Sequence, residues 1–463
     1  PPAAISGAPE RLSFPSGPET ALSFQDGAPD LQMAPRENGW KVTAIPQAVA
    51  ALGEYAVNGP AGVYWIGDDR ALVRWIWRDR YTLALADLRT GKLQTPAGYH
   101  EIENGSPDGR FLLLNQGAGR TVLADMASDR EVWQLPTGAD GAYWLDARHV
   151  RYYLNGNTYV ADSVNRVLWT LPGRFDSMAV VGGQLCAAPS GSGTTGALAC
   201  WQSPGNGGVS LLAAGEYTDR FLYPLRADST GRRLAFAYRS SQRTAGAAWW
   251  SSGVAHATKP LPTPYQVDTI AVYDAKAGTV RRVTLPAPAY ITGLEWSPDG
   301  AYLGLDLHLD QEYDWSTLDR GQLWSLEVAT GRMARVYTYG GEKRAGLWGA
   351  LNGGALLVNR SGTPARLEVL APGREPQDWR PGLTVLAREA YLAPKPQGVL
   401  PWLALAGQGQ LEIVGSDGSD LTWPLAGELS GMAAWAAPAP DGRWAALLAP
   451  AQNTSGRLLF LRR

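Results

Sequence analysis

Two short turn patterns recur along this chain, and their recurrence constrains the fold more than any other feature. The first is a Pro-Asp-Gly turn followed by an apolar strand. It reads Ser106-Pro107-Asp108-Gly109-Arg110-Phe111, Trp296-Ser297-Pro298-Asp299-Gly300-Ala301-Tyr302 and Ala439-Pro440-Asp441-Gly442-Arg443-Trp444, with a degenerate copy at Asp228-Ser229-Thr230-Gly231-Arg232-Arg233-Leu234. Proline presets φ at the first corner, the Asp side chain bonds the backbone ahead of it, and Gly takes the positive φ. The second pattern places Asp, or Glu once, before a Thr-Gly or equivalent corner. Copies are Asp87-Leu88-Arg89-Thr90-Gly91-Lys92, Asp125-Met126-Ala127-Ser128-Asp129-Arg130, Asp162-Ser163-Val164-Asn165-Arg166, Asp274-Ala275-Lys276-Ala277-Gly278 and Glu327-Val328-Ala329-Thr330-Gly331. Each pattern should reverse the chain between two strands.

Most copies return at about 40 to 50 residues, the blade period of a β-propeller. Composition agrees. With 54 Gly and 33 Pro among 463 residues the chain turns too often for long helices, while 45% hydrophobic residues and 19 Trp exclude a disordered chain. Strand groups over 60–97, 98–136, 137–172, 173–213, 214–285, 286–338, 339–381 and 382–425 make eight candidate units, and 426–463 supplies three more strands. The last of these, Gly456-Arg457-Leu458-Leu459-Phe460-Leu461, lacks an outer partner, which the strand Trp40-Lys41-Val42-Thr43-Ala44-Ile45 can supply. Such a split blade closes a ring and hides free edges. The expectation is an all-β chain: residues 1–39 an irregular lead-in, and 40–463 a single propeller of eight or nine four-stranded blades, closed by the N-terminal strand joining the C-terminal blade.

The Pro-Asp-Gly copies resemble the repeat of the TolB-like propeller family and, more broadly, WD-type propellers. The Thr90-Gly91-Lys92 corner, with Trp133 and Trp169 in the following strands of other units, is similar to the quinoprotein-type propeller repeat of alcohol dehydrogenases and of an outer-membrane assembly lipoprotein. These resemblances imply a propeller scaffold and, through the last, a quinone cofactor as one alternative. Most of the Trp residues are expected to pack between blades.

Charge and cysteine bear on setting. The 41 Lys and Arg balance 43 acidic residues without a basic tract, which disfavours nucleic-acid binding. No window reaches the roughly 18 to 20 apolar residues of a membrane span. The chain starts at Pro1-Pro2-Ala3-Ala4, as after removal of a signal peptide or after trimming. Cys186 and Cys200 stand in two apolar runs joined by a Gly/Ser/Thr-rich segment, and a hairpin centred near Gly193 would set them opposite one another. A disulfide there implies an oxidising compartment, and buried free thiols are the alternative. The expected location is periplasm, cell envelope or medium.

Two insertions break the repeat, after Tyr238 and after His308. The first carries Arg243, Trp249, Trp250 and His256, and the second Tyr313 and Trp315. Loops at equivalent places in adjacent blades emerge on one face, so these six residues are the candidate partner-binding set. Exposed aromatics beside carboxylates suit a sugar, a peptide or a cationic partner. Asp306, His308, Asp310, Glu312 and Asp314 alternate along this stretch, with Asp306, Asp310 and Asp314 as candidate Ca²⁺ ligands, although it lacks the Gly-turned spacing of a calcium hand and His308 is an uncommon calcium ligand. A solvated acidic loop is the competing reading.

Enzyme signatures are largely missing. The four histidines form no His-Glu-x-x-His pair, and no Gly-x-Ser-x-Gly elbow occurs. Gly191-Ser192-Gly193-Thr194-Thr195-Gly196 matches a dinucleotide fingerprint in letters but joins two strands instead of a strand and a helix. The sequence therefore favours an exported, non-catalytic binding or scaffold protein for a protein or cell-envelope partner, without a required cofactor. The alternative is a propeller enzyme acting on glycans or lactone-like small molecules with acidic groups at the channel mouth.

Overall fold

A computed structural model describes residues 21–28, 31–36, 39–44, 59–77, 80–99, 101–106, 109–117, 120–162, 168–175, 177–188, 198–202, 208–212, 217–222, 225–240, 267–309, 321–340, 345–360, 366–381, 383–388, 402–407, 409–415, 420–425, 435–439, 441–449 and 457–463. Among these residues there are strands and one short 3₁₀ turn at Asn352–Gly354, and no α-helix. Among the described residues no helix is long and apolar enough to cross a membrane.

The strands form antiparallel up-and-down sheets in chain order. The first holds β4 (Gly59–Ile66), β5 (Arg70–Trp77), β6 (Arg80–Asp87) and β7 (Lys92–Pro96), with β1 (Phe24–Asp26) added outside β7. Four-stranded sheets follow over Glu101–Gly105 to Arg130–Gln134, Asp140–Trp144 to Leu168–Pro172 and Ser177–Val181 to Val209–Leu212. An eight-stranded sheet runs from Tyr217–Leu222 to Arg332–Tyr339, because the 18-residue strand Thr279–Trp296 serves two successive meanders. Two more four-stranded sheets run from Ala345–Ala350 to Gln377–Asp378 and from Thr384–Arg388 to Asp420–Pro424. The last sheet joins Trp435–Pro438, Trp444–Ala449 and Arg457–Arg462 to β3 (Gly39–Ala44), then β2 (Leu31–Arg36). β3 pairs with the C-terminal strand in the register Gly39↔Leu461 to Val42↔Leu458, so the N-terminal strand completes the last sheet as its sequence predicts.

Contacts divide the chain into two compact units. One comprises Pro1–Glu10, Gly156–Tyr159 and Leu168–Pro381, and the other Arg11–Asn155, Val160–Val167 and Gly382–Arg463. In the second unit, Leu72, Leu83 and Leu85 of the first sheet pack on Ile102, Leu112 and Leu114 of the next. Val63, Val73 and Ala84 pack on Leu458 and Phe460, with Trp65 edge-on to Phe460 at 5.8 Å between ring centroids. In the first unit, Cys186, Leu198 and Leu212 pack on Leu234, Phe236 and Tyr273. Sheets packed face to face explain the strands that are apolar on both sides. Several Trp residues are buried in these layers, among them Trp65, Trp133, Trp144, Trp423 and Trp444.

The lead-in differs from the expected irregular chain. Its described part forms β1 and β2, each the fifth and outermost strand of its sheet. The reason is backbone satisfaction: an open sheet edge offers a row of unpaired N–H and C=O groups that a neighbouring extended segment can pair with.

The predicted turns within the described residues form as their chemistry requires, and the corner after Asp162, residues 163–166, lies outside them. In four of them the amide of the glycine donates to the carbonyl three residues back: Gly109 to Ser106, Gly231 to Asp228, Gly300 to Ser297 and Gly442 to Ala439, at 2.9–3.0 Å. The degenerate copy belongs with the others because the Asp228 carboxylate accepts from the amides of Arg232 and Arg233, the place where the Ser106 and Ser297 hydroxyls accept from Phe111 and Tyr302. At the second corner, Asp87 and Asp274 each accept from two amides just ahead. Asp129 stands at φ 50° in the corner where other copies carry Gly.

Cys186 and Cys200 lie directly opposite across strands Gln184–Ala188 and Leu198–Trp201 and form a disulfide, with Cα atoms 4.0 Å apart and both residues buried.

Candidate functional site

The two insertions leave the eight-stranded sheet at hairpins between the second and third strands of successive meanders. Residues 241–266 connect Arg233–Ser240 to Val267–Asp274, and residues 310–320 connect Tyr302–Leu309 to Gly321–Glu327. Val267 pairs with Ala289, and Ala289 pairs with Leu309. One strand therefore separates the two roots, at the same level of the sheet. Two strand spacings put them about 10 Å apart.

Each root is built around a buried carboxylate. Asp268 is 3% exposed and accepts from the Ser240 amide at 3.0 Å and the Thr269 hydroxyl at 2.7 Å. It thus ties the outgoing strand of the first insertion to the returning one. At the second root, Asp306 and His308 point to one face of their strand, as alternate residues must. The Tyr339 hydroxyl donates to Asp306 Oδ1 at 2.8 Å and lies 3.3 Å from His308 Nε2. Thr292 Oγ1 lies 3.1 Å from the same nitrogen. With its single proton committed to Asp306, the Tyr339 oxygen can only accept from His308, which calls for a proton on Nε2.

Two backbone features make this cluster possible. The register shifts between Ile291 and Gly293, a bulge that carries Thr292. Gly321 faces Tyr339 across the ladder, and a Cβ there would stand 2.2 Å from the Tyr339 hydroxyl. The tyrosine crosses the sheet because position 321 has no side chain.

The opposite end of the same strands holds only tight turns. Ala275 donates from its amide to Arg232, and Val328 to Ala301, at 3.0 and 2.9 Å, linking the two turns of each meander. Ser229 Oγ donates to the Pro298 carbonyl and Arg233 Nη1 to the Gly300 carbonyl at 2.9 and 2.6 Å, linking successive meanders. Arg232 pairs with Asp274 at 2.7 Å. Burial pushes the Asp274 carboxyl up, but Arg232 and the Ala277 and Lys276 amides outweigh it and hold Asp274 below its ordinary value. Asp125 is lowered in the same way against its burial, by Arg110 and the Ala127 amide.

Of the residues singled out from sequence, Arg243, Trp249, Trp250, His256, Tyr313 and Trp315 lie outside the described residues, as do Asp310 and Asp314. Asp306 is described, and it is engaged by Tyr339 at 5% exposure. Among the described residues no group of three or more His, Cys, Asp or Glu side chains could hold a metal ion. Sequence reasoning passed over Tyr339, Thr292 and Asp268. The available signal was Gly321, a glycine opening a strand, which marks close approach of another group.

The chain matches no protein-family model and no curated protein. Among solved structures, dipeptidyl peptidase 4 of Porphyromonas gingivalis is 11% identical and covers 87% of this chain and 57% of its own, with a TM-score of 0.43. BamB of Moraxella catarrhalis is 16% identical over 88% of this chain and 100% of its own, with a TM-score of 0.32. The β-propeller domain of the trilobed protease of Pyrococcus furiosus is 10% identical over 70% and 97%, with a TM-score of 0.36. No activity or partner passes from these proteins to this chain.

Proposed function

We propose that this chain is a non-catalytic binding or scaffold protein, built as a β-propeller and exported from the cell, which engages a protein or cell-envelope partner through the sheet end bearing both insertions. The observation that carries this reading is the placement of the two insertion roots one strand apart at one level. Two long segments of aromatic, basic and acidic residues issuing from one rigid edge can act on one partner. The buried carboxylates at their bases supply the rigidity. On this reading the successive sheets are the eight or nine blades expected from sequence, with β3 completing the last. The Cys186–Cys200 disulfide supports an oxidising location such as the periplasm or the medium.

The test removes residues 241–264 from the chain and compares it with the parent by in-cell photo-crosslinking from position 313. Loss of the cross-linked partner with an unchanged melting temperature is the expected result. A partner captured equally well without the segment rejects the site.

A further inference from the structure

The lead-in docks on the second unit through one small motif. Leu22 is 7% exposed and sits in the core formed by Ile66, Leu72, Leu83 and Ile102, with Phe24 packed beside it. The Leu22 amide donates to the Asp129 carbonyl at 2.8 Å, and Ala21 bridges to Arg130. Beyond Leu22 the chain runs antiparallel to β7, with Phe24↔Pro96, Gln25↔Thr95 and Asp26↔Gln94 in register. The Ala97 amide donates to Ser23 and the Gly27 amide to Leu93, both at 2.8 Å. These bonds flank Gln25 on both sides, and the alternation of an antiparallel ladder makes Gln25↔Thr95 a hydrogen-bonded pair as well.

The sequence of this docking segment is duplicated. Leu12-Ser13-Phe14 repeats Leu22-Ser23-Phe24 ten positions earlier. The copies differ at the next residue, Pro15 against Gln25. A proline at the place of Gln25 has no N–H for the ladder, so the downstream copy is the better occupant.

We propose that the outer edge of β7, with the socket that receives Leu22, is a strand-accepting site for extended Leu-x-Phe peptides, occupied in cis by the chain's own lead-in. The site reads a leucine for the socket, an aromatic residue two positions on, and a ladder-competent residue after it. Its cis occupant is held by a three-residue strand whose Gln25 and Asp26 are exposed, so it is open to exchange with a matching strand from another protein. This inference is independent of the insertion end.

The test uses the chain lacking residues 1–28, which keeps β2 and β3, and a synthetic peptide of residues 20–28. Saturable binding to the truncated chain, at least about tenfold tighter than to the full chain, is expected from removal of the tethered competitor. The same peptide with Leu22→Asp and Phe24→Asp should lose at least about tenfold in affinity, and a peptide of residues 10–18 should bind more weakly than the parent. A folded truncated chain that binds no peptide, or a full chain that binds it equally well, overturns the proposal. Should the truncated chain fail to fold, full-length Leu22→Asp takes its place. It should bind the parent peptide and show faster amide exchange at Thr95 and Ala97, which face the lead-in, and absence of that binding equally overturns the proposal.

Discussion

The two ends of the eight-stranded sheet are made by the same strands and held by different physics. At the turn end every reversal is short, and donors meet backbone carbonyls only a few residues away or in the next turn, as with the Gly300 amide to Ser297 and Arg233 Nη1 to Gly300. At the insertion end long segments depart, and the strands are held by buried side chains distant in sequence, such as Tyr339 and Asp306. Exposed turn bonds, such as those from the Lys276 and Ala277 amides to Asp274, tolerate loss because solvent can replace them. A buried polar cluster does not, because each member removed leaves another without its partner.

The largest break in this contrast comes from Gly321→Val. The new side chain would displace the Tyr339 hydroxyl, weakening its bonds to Asp306 and His308 while overpacking the sheet. The expected loss is about 3 kcal/mol in a denaturant titration. Tyr339→Phe, which keeps the ring and removes only the hydroxyl, should cost about 1–2 kcal/mol. Combining Gly321→Val with Tyr339→Ala should cost less than the sum of the two single changes, since the clash and the bond are one interaction. Strict additivity would show that Gly321 acts through something other than the tyrosine.

At the turn end the counterpart is Gly300→Ala. Gly300 sits at φ 65°, where a Cβ is strained, and its Cβ would stand 3.0 Å from Asp228 Oδ2. A cost of about 1 kcal/mol is expected, read as a lowered denaturation midpoint with an unchanged slope. A cost equal to that of Gly321→Val would erase the contrast between the ends.

This contrast also separates what the sequence discloses from what it conceals. The turn residues announce themselves because Pro, Asp and Gly are chosen by local backbone geometry, and the unit boundaries they imply fall close to the observed strand groups, for example 137–172 against Asp140–Pro172, although the boundary at 285/286 falls inside the strand Thr279–Trp296. The cysteine pair and the β3 partnership were legible for the same reason: a symmetric hairpin and an unpaired last strand are local signals. Tyr339 was not legible, because its role depends on a register that brings it over Gly321, 18 positions earlier, and on to Asp306. The lead-in misled in the opposite direction. Its proline content reads as irregular chain, yet Pro35 is accommodated in β2 because that strand lies at the sheet edge.

The smallest effect expected is a proton-linked one, read at the turn end through Asp274. Asp274 has a folded-state affinity for protons below its unfolded one, as have Asp125 and Asp146 in other sheets. Their stabilisation is therefore complete above the unfolded aspartate pKa of about 3.9 and is lost as pH falls through the lower folded values. Stability should decline with acid below about pH 4, and Asp274→Asn should make that decline shallower without altering the neutral-to-alkaline limb. The change is small because Arg232 reaches Asp274 from a half-exposed position where salt screens the pair. Raising the salt concentration should accordingly shrink the difference between parent and variant. A difference that persists unscreened would mean the turn end relies on buried electrostatics, as the insertion end does, and the distinction between them would fail.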